Sequence, residues 1–294
     1  MTSFNLGMHI WKFRVVGCVL AILMFAGGPA WLRAGEAGVT VRADVPYRVG
    51  EQWDVYEQER CKLDVYLPAG AAGSNGFPTL VWFYGGSLTG GNKADVKPLA
   101  LSLARAGVAV VVPDYRLSPR ATYPAYVEDA AAAFAWTHRN IASLGGKPER
   151  VFIGGHSAGG YLALMVSLDE NYLKAEGLDL GVIAGVLPVS GQVMTHYTVR
   201  AERGLAQTTI TADAAAPVFY CRKDTPPMLV LYADHDMPAR EEENQYFVAV
   251  MHWAGNTGVT GKLITDRNHG TIASRIAEEG DPARVAMLEF IRAR

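Results

Sequence analysis

Residues 154–160 read Gly-Gly-His-Ser-Ala-Gly-Gly, with Val151-Phe152-Ile153 in front and Tyr161-Leu162-Ala163-Leu164-Met165-Val166 behind. The pattern is Gly-x-Ser-x-Gly centred on Ser157, set between an apolar strand and a helix. A serine hydroxyl thrown up at such a turn is a nucleophile for acyl groups. The turn strains its own backbone, so the positions two residues away must be small. Gly155 and Gly159 meet that demand. The helix that follows presents unpaired N–H groups and the positive end of its dipole, where a developing oxyanion is stabilised.

A serine hydroxyl attacks well only when a histidine takes its proton and a carboxylate holds that histidine's tautomer. After a strand–serine–helix turn the expected chain order is acid, then histidine. Of the seven histidines, His9 lies in the N-terminal leader, His138 within a helix and His156 beside the nucleophile. His196, His235 and His252 come too early or sit on a helix. His269 remains, in Asp266-Arg267-Asn268-His269-Gly270-Thr271 just past the strand Val259–Ile264, and is expected on a loop as the base. The acid falls in Tyr232-Ala233-Asp234-His235-Asp236-Met237-Pro238, after the strand Met228–Tyr232. Asp236, a few residues beyond the strand end, is the first choice. Asp234 is the runner-up, or a residue that braces the loop or caps a helix. Glu128 and Asp129 precede Ser157 and read as the start of an Ala-rich helix. One oxyanion donor is the Ala158 N–H. The others are assigned to Gly86 and Ser87, in Tyr84-Gly85-Gly86-Ser87 after the buried strand Leu80–Phe83, because paired glycines let backbone approach a carbonyl closely. Tyr84, Gly85 and His156 are the residues expected against the substrate.

The elements that must position these groups alternate along the chain. Thr79–Tyr84, Val108–Val112, Val151–Ile153, Val182–Pro188, Met228–Tyr232 and Val259–Ile264 read as strands. Pro98–Ala106, Val127–Ile141, Tyr161–Leu168, Glu241–Trp253 and Ala283–Ile291 read as helices. Leu63–Leu67 alternates as an edge or half-exposed strand would. Short Val/Ile/Leu runs separated by helices indicate an α/β fold, a mostly parallel sheet covered on both faces. Ligands of such sheets bind beyond the carboxyl ends of the strands, where the residues singled out above fall. Residues 191–224 form the one long irregular segment and read as a small cap or substrate wall. Glu241-Glu242-Glu243 reads as a solvated helix start.

The N-terminus differs in kind. Lys12 and Arg14 precede the uncharged stretch Val15–Gly28, and small residues follow up to Ala37. That is the order of a secretory signal, so residues 1–37 are expected to be a signal peptide, with an N-terminal membrane anchor as the alternative. The catalytic domain is placed at residues 45–294, and the protein is expected to be exported, periplasmic or secreted. A leader ending at Ala34 takes Lys12, Arg14 and Arg33 with it and shifts the formal charge from −2 to about −5. Neither value suits nucleic acid. Cys61 and Cys221 then remain, open to pairing or to service as buried thiols. No metal-ligand spacing and no phosphate-binding glycine loop stand out, so no metal and no cofactor are expected. Oligomeric state is not legible.

From about Cys61 onward the chain resembles the α/β-hydrolase superfamily. Within it, it is similar to the hormone-sensitive-lipase-like carboxylesterases and the related acetyl esterases and arylformamidases. The resemblance rests on Leu63-Asp64-Val65-Tyr66-Leu67-Pro68, Tyr84–Ser87, Asp114-Tyr115-Arg116-Leu117-Ser118-Pro119, Tyr123-Pro124 with Asp129, Gly155–Gly159, Asp236 and His269. In the Asp-Tyr-Arg-Leu-Ser-Pro turn, Arg116 is expected to anchor a carboxylate. Two departures concern the oxyanion loop: the family's histidine is Tyr84 here, and its third glycine is Ser87. Backbone donors survive both changes, so substrate preference is affected more than chemistry. The resemblance implies hydrolysis of small or short-chain carboxylic esters through Ser157, His269 and Asp236. An arylformamidase-like amide hydrolase is the nearest alternative, and a catalytically degenerate binding module is a second. A lipase acting at membrane surfaces has only the leader in its favour.

Overall fold

The computed structural model describes residues 1–3, 32–33, 38–48, 54–69 and 76–294. Apart from its ends, the expected signal or anchor segment at 1–37 lies outside the described residues. Among the described residues no helix is long and apolar enough to cross a membrane. Contacts divide the chain into Met1–Ala30 and Trp31–Arg294, and the second unit carries all the elements below.

In chain order they are β1 (Leu32–Arg33), β2 (Val39–Pro46), α1 (Val55–Arg60), β3 (Lys62–Pro68), β4 (Phe77–Phe83), α2 (Lys97–Arg105), β5 (Ala109–Pro113) and α3 (Ala125–Asn140). Then follow β6 (Gly146–His156), α4 (Ala158–Leu168), α5 (Glu170–Ala175), β7 (Gly185–Val189), α6 (Tyr197–Glu202), β8 (Met228–His235), α7 (Arg240–Trp253), β9 (Val259–Asn268), α8 (His269–Ser274) and α9 (Pro282–Arg292). The strands form one sheet in the order β1-β2-β3-β5-β4-β6-β7-β8-β9. The first three pairings are antiparallel and the remaining five parallel.

Side chains of a strand point alternately to opposite faces, and both faces here are apolar. Val81, Phe83, Val151 and Ile153 enter one core; Leu80, Trp82 and Phe152 enter the other. Every residue of β4, β5 and β7 is buried as a result. Every residue of α4 is buried too, as expected of a helix that is apolar all round. Each fully buried Val, Leu or Phe side chain contributes about 1.5–3 kcal/mol. The nucleophile turn therefore sits between a buried strand, inside the sheet between β4 and β7, and a buried helix.

Several sequence expectations change. β3 is not half-exposed: it runs between β2 and β5, and its five central residues are buried. Its polar residue Asp64 is buried because Lys93 Nζ lies 2.6 Å from its carboxylate and the Asp44 N–H donates to it at 2.9 Å. The sheet also begins before residue 45, since β2 starts at Val39. His269 is on no loop. β9 runs on to Asn268, whose side chain caps α8, and His269 is the first residue of that helix. Glu243 is drawn inward toward the buried Arg240, at 3.8 Å, instead of facing solvent with its neighbours. Glu128 and Asp129 do lie near the start of α3, as expected, and Asp129 is wholly buried there, held by Arg116 at 2.7 and 2.8 Å and by Arg48 at 3.2 Å. Cys61 and Cys221 are free thiols, pushed up to about 12 mainly by burial.

Candidate active site

β6 ends at His156, and Ser157 follows with φ 55° and ψ −117° before α4 begins. A non-glycine residue in that region carries about 1–3 kcal/mol of strain, held in place by its surroundings. The surroundings are tight. A Cβ on Gly155 would lie 2.5 Å from the Gly159 backbone, and one on Gly159 would lie 2.0 Å from the Phe83 carbonyl oxygen. The Ser157 N–H donates to the Val189 carbonyl at 2.9 Å, which ties the turn to the end of β7.

The hydroxyl so presented meets two other side chains. Ser157 Oγ lies 2.9 Å from His269 Nε2, and His269 Nδ1 lies 2.6 Å from Asp236 Oδ1. Residues 112 and 33 positions apart thus form one hydrogen-bonded line. The Asp236 side chain is fully buried, and burial alone would raise its carboxyl. Hydrogen bonds from His269, from the Ser190 hydroxyl and from the Met237 N–H (2.7 Å) outweigh that effect and hold it below the usual carboxylate range. It therefore stays ionised beside the imidazole. Asp234 is elsewhere: its carboxylate accepts the Asp266 and Arg267 N–H groups at 2.9 and 3.0 Å, which brace the kink in β9. Those amides hold its carboxyl low as well.

Ser190 was not among the residues singled out from sequence. It sits immediately after β7, at the carboxyl end of a strand, and that position was the available signal. Arg240, buried on α7, donates to the Ser190 carbonyl at 2.9 Å and so fixes the residue that fixes Asp236.

The loop after β4 forms the facing wall. Gly86 has φ +125°, its carbonyl accepts the Thr89 and Gly90 N–H groups at 3.0 Å each, and a Cβ there would fall 2.3 Å from the Gly90 oxygen. Ser87 and Leu88 follow with φ 61° and 63°. Ala158 opens α4, where the first N–H groups lack intrahelical partners. Gly85, Gly86, Ser87, His156, Ser157 and His269 border one cleft of about 410 Å³. Tyr197, from the expected cap segment, closes it on another side. Tyr84 also borders this cleft, but its ring is buried, stacked on Tyr115 at 4.6 Å, with its hydroxyl accepting from Arg60 at 2.6 Å. Aromatic packing and the Arg60 hydrogen bond claim both ends of the ring, which so braces the loop. His156 donates from Nε2 to the His269 carbonyl at 2.8 Å. Burial, then the neighbouring His269, pushes it down to about 3, so it stays neutral. A second hollow of about 300 Å³ shares Gly85, Asp95, Val96 and His156 with the cleft and continues between Trp82, Leu99, Ala273 and Ala277. Among the described residues no group of three or more His, Cys, Asp or Glu side chains could hold a metal ion.

This arrangement can perform acyl transfer: a hydroxyl within hydrogen-bond reach of a base, a carboxylate on the other side of that base, and a glycine loop bordering the same cleft. The family described as BD-FAE matches residues 63–183. The esterase LipQ of Mycobacterium tuberculosis is 27% identical over 261 residues, covering 81% of this chain; the chain spans 60% of the length of that protein. A carbohydrate esterase from gut microbiota, solved in truncated form, superposes with a TM-score of 0.71 at 20% identity, covering 89% of this chain and 98% of that one. The Thermogutta terrifontis esterase Est2, solved with propionate bound, superposes with a TM-score of 0.62 at 22% identity, covering 79% of this chain and 88% of that one. These likenesses show the mostly parallel α/β-hydrolase sheet, and in sequence the chain is similar to an esterase.

Proposed function

We propose that this chain, a member of the α/β-hydrolase esterase family, hydrolyses small carboxylic esters with Ser157 as nucleophile, His269 as base and Asp236 as its carboxylate partner. The observation that carries the reading is the unbroken line from Ser157 Oγ through both His269 nitrogens to Asp236, at 2.9 and 2.6 Å. Ser157 Oγ attacks the ester carbonyl while its proton passes to His269 Nε2. The carbonyl electron pair moves to oxygen, where the Ala158, Gly86 and Ser87 N–H groups receive it. Collapse expels the alcohol, which takes the proton from His269. Water, deprotonated by the same imidazole, then releases the acid from Ser157. Because Asp236 stays ionised, it stabilises the imidazolium formed in both halves.

The preference for short chains is supported by the scale of the site. The cleft of about 410 Å³ and its apolar neighbour of about 300 Å³ accommodate a compact ester with one substituent in each. The propionate held by the Thermogutta relative is a product of that size class. The assay is a panel of p-nitrophenyl esters of increasing acyl length beside aryl formamides, with fluorophosphonate labelling of wild type and Ser157→Ala. Labelling of the wild type alone and turnover highest on the short esters are expected. Formamides turned over faster would shift the reading to amides, and no adduct on the wild type would make the chain a binding module. We also propose that residues 1–37 direct export. Mass spectrometry of protein recovered from outside its host's cytoplasm should find an N-terminus between residues 29 and 38, and an intact Met1 there would refute cleavage.

A further inference from the structure

Ser87 occupies a backbone position with φ 61°, where glycine is at ease and serine is not. Its side chain is engaged nonetheless. Ser87 Oγ is hydrogen-bonded to the hydroxyl of Tyr197, 110 residues further along the chain. Thr198, the next residue, donates from Oγ1 to the Ser87 carbonyl at 2.5 Å. Tyr197 is itself held firmly: its N–H donates to Gln192 Oε1 at 3.2 Å, and its ring stacks on the buried His196 at 4.3 Å. Ser87 and Tyr197 both border the cleft that contains Ser157 and His269.

Two hydroxyls bonded to each other use one of their two protons. A phenol is a stronger acid than an aliphatic alcohol and is the better donor. With Tyr197 as donor and Ser87 as acceptor, the Ser87 proton is left to turn into the cleft beside the Ser87 N–H. We propose that the Ser87 hydroxyl is a second kind of oxyanion donor, aimed by Tyr197, in addition to the backbone amides. The inference rests on the ester-hydrolase reading of this site. As Ser157 Oγ bonds to the carbonyl carbon and its proton passes to His269, the π pair moves to the carbonyl oxygen. The Ser87 O–H shares its proton with that oxygen without transferring it, so the negative charge stays on the substrate and the positive charge on His269. A donor of this kind acts where charge develops and does little for the bound ester. Tyr197 is a positioning residue in this scheme.

The test is Ser87→Gly, with Tyr197→Phe beside it. Glycine suits φ 61°, so the variant folds and keeps the backbone donor. We expect kcat on p-nitrophenyl acetate to fall about 10²-fold with KM little changed. Affinity for a trifluoromethyl ketone, whose adduct with Ser157 carries the same oxyanion, should fall by the same factor. Tyr197→Phe keeps the ring stacking and should lose about tenfold in both. A pair that merely fastened α6 to the loop would move the melting temperature and leave ketone affinity alone. Ser87→Gly within about threefold of wild type in kcat and ketone affinity, or a loss of kcat without a loss of ketone affinity, would overturn the proposal. A wild-type chain inert toward esters and unlabelled by fluorophosphonate would instead overturn the reading on which it rests.

Discussion

Replacing Asp236 by asparagine separates charge from geometry at this site. The Oδ1 position receives two donors, His269 Nδ1 at 2.6 Å and the fixed Met237 N–H at 2.7 Å. The Oδ2 position faces the Ser190 hydroxyl, a rotor that can reverse and accept, and takes only one long bond from a fixed donor, the Ala233 N–H at 3.4 Å. An asparagine at 236 therefore places its oxygen toward His269 and its amide toward Ser190. The imidazole keeps its tautomer, and what disappears is the negative charge beside the imidazolium of the transition state. Opposite charges about 4 Å apart interact by about 4 kcal/mol at an effective dielectric of about 20, which corresponds to about 10³ in rate. Asp236→Ala removes the acceptor as well and should lose about 10⁴. Asp234→Asn only weakens a brace at the surface and should lose less than about threefold. The assay is kcat/KM on p-nitrophenyl acetate, normalised to active sites titrated with fluorophosphonate. If Asp234→Asn cost more than Asp236→Asn, or Asp236→Asn retained more than about a tenth of the activity, the assignment of the acid would be wrong.

Three further outcomes test the frame around the site. Gly159→Ala forces a Cβ to within 2.0 Å of the Phe83 oxygen, so denaturant titration should show a loss of about 3 kcal/mol or more, or no folded protein; near-wild-type stability would contradict the packing. Arg116→Met leaves the buried Asp129 with Arg48 as its remaining cationic partner and should destabilise by about 3 kcal/mol in urea while kcat per titrated site stays unchanged. Folding holds His156 neutral, down from its ordinary 6.5 to about 3. Between those values the unfolded chain binds a proton that the folded chain refuses. Its stabilisation is thus complete above about pH 6.5 and fades on acidification toward pH 3, by at most about 1.4 kcal/mol per pH unit. His156→Gln should flatten the stability-versus-pH curve in that window, and an unchanged slope would refute the linkage.

The residues that sequence placed well are those whose constraints are local. Gly155 and Gly159 are demanded by the strand–turn–helix backbone itself, so Gly-x-Ser-x-Gly identifies Ser157 before any contact is known. Continuous apolar runs at β4, β5 and β7 reveal strands buried on both faces, because such runs satisfy no single-sided surface. His269 and Asp236 were legible through chain order and their places beyond strand ends, although His269 proved to open a helix capped by Asn268. Where local pattern and partner disagreed, the partner prevailed: β3 alternates like an edge strand, yet Lys93 lets it bury Asp64 at the centre of the antiparallel half. Tertiary structure alone decided the polar pairings that complete the site. Ser190 reaches Asp236 across 46 residues, and Tyr197 reaches Ser87 across 110. Apolar burial needs only the right period and the right length, which a chain carries in every window of itself. A hydrogen bond needs two named atoms within about 3 Å of each other, and only the register of the sheet and the path of the loops above it determine which distant residues meet.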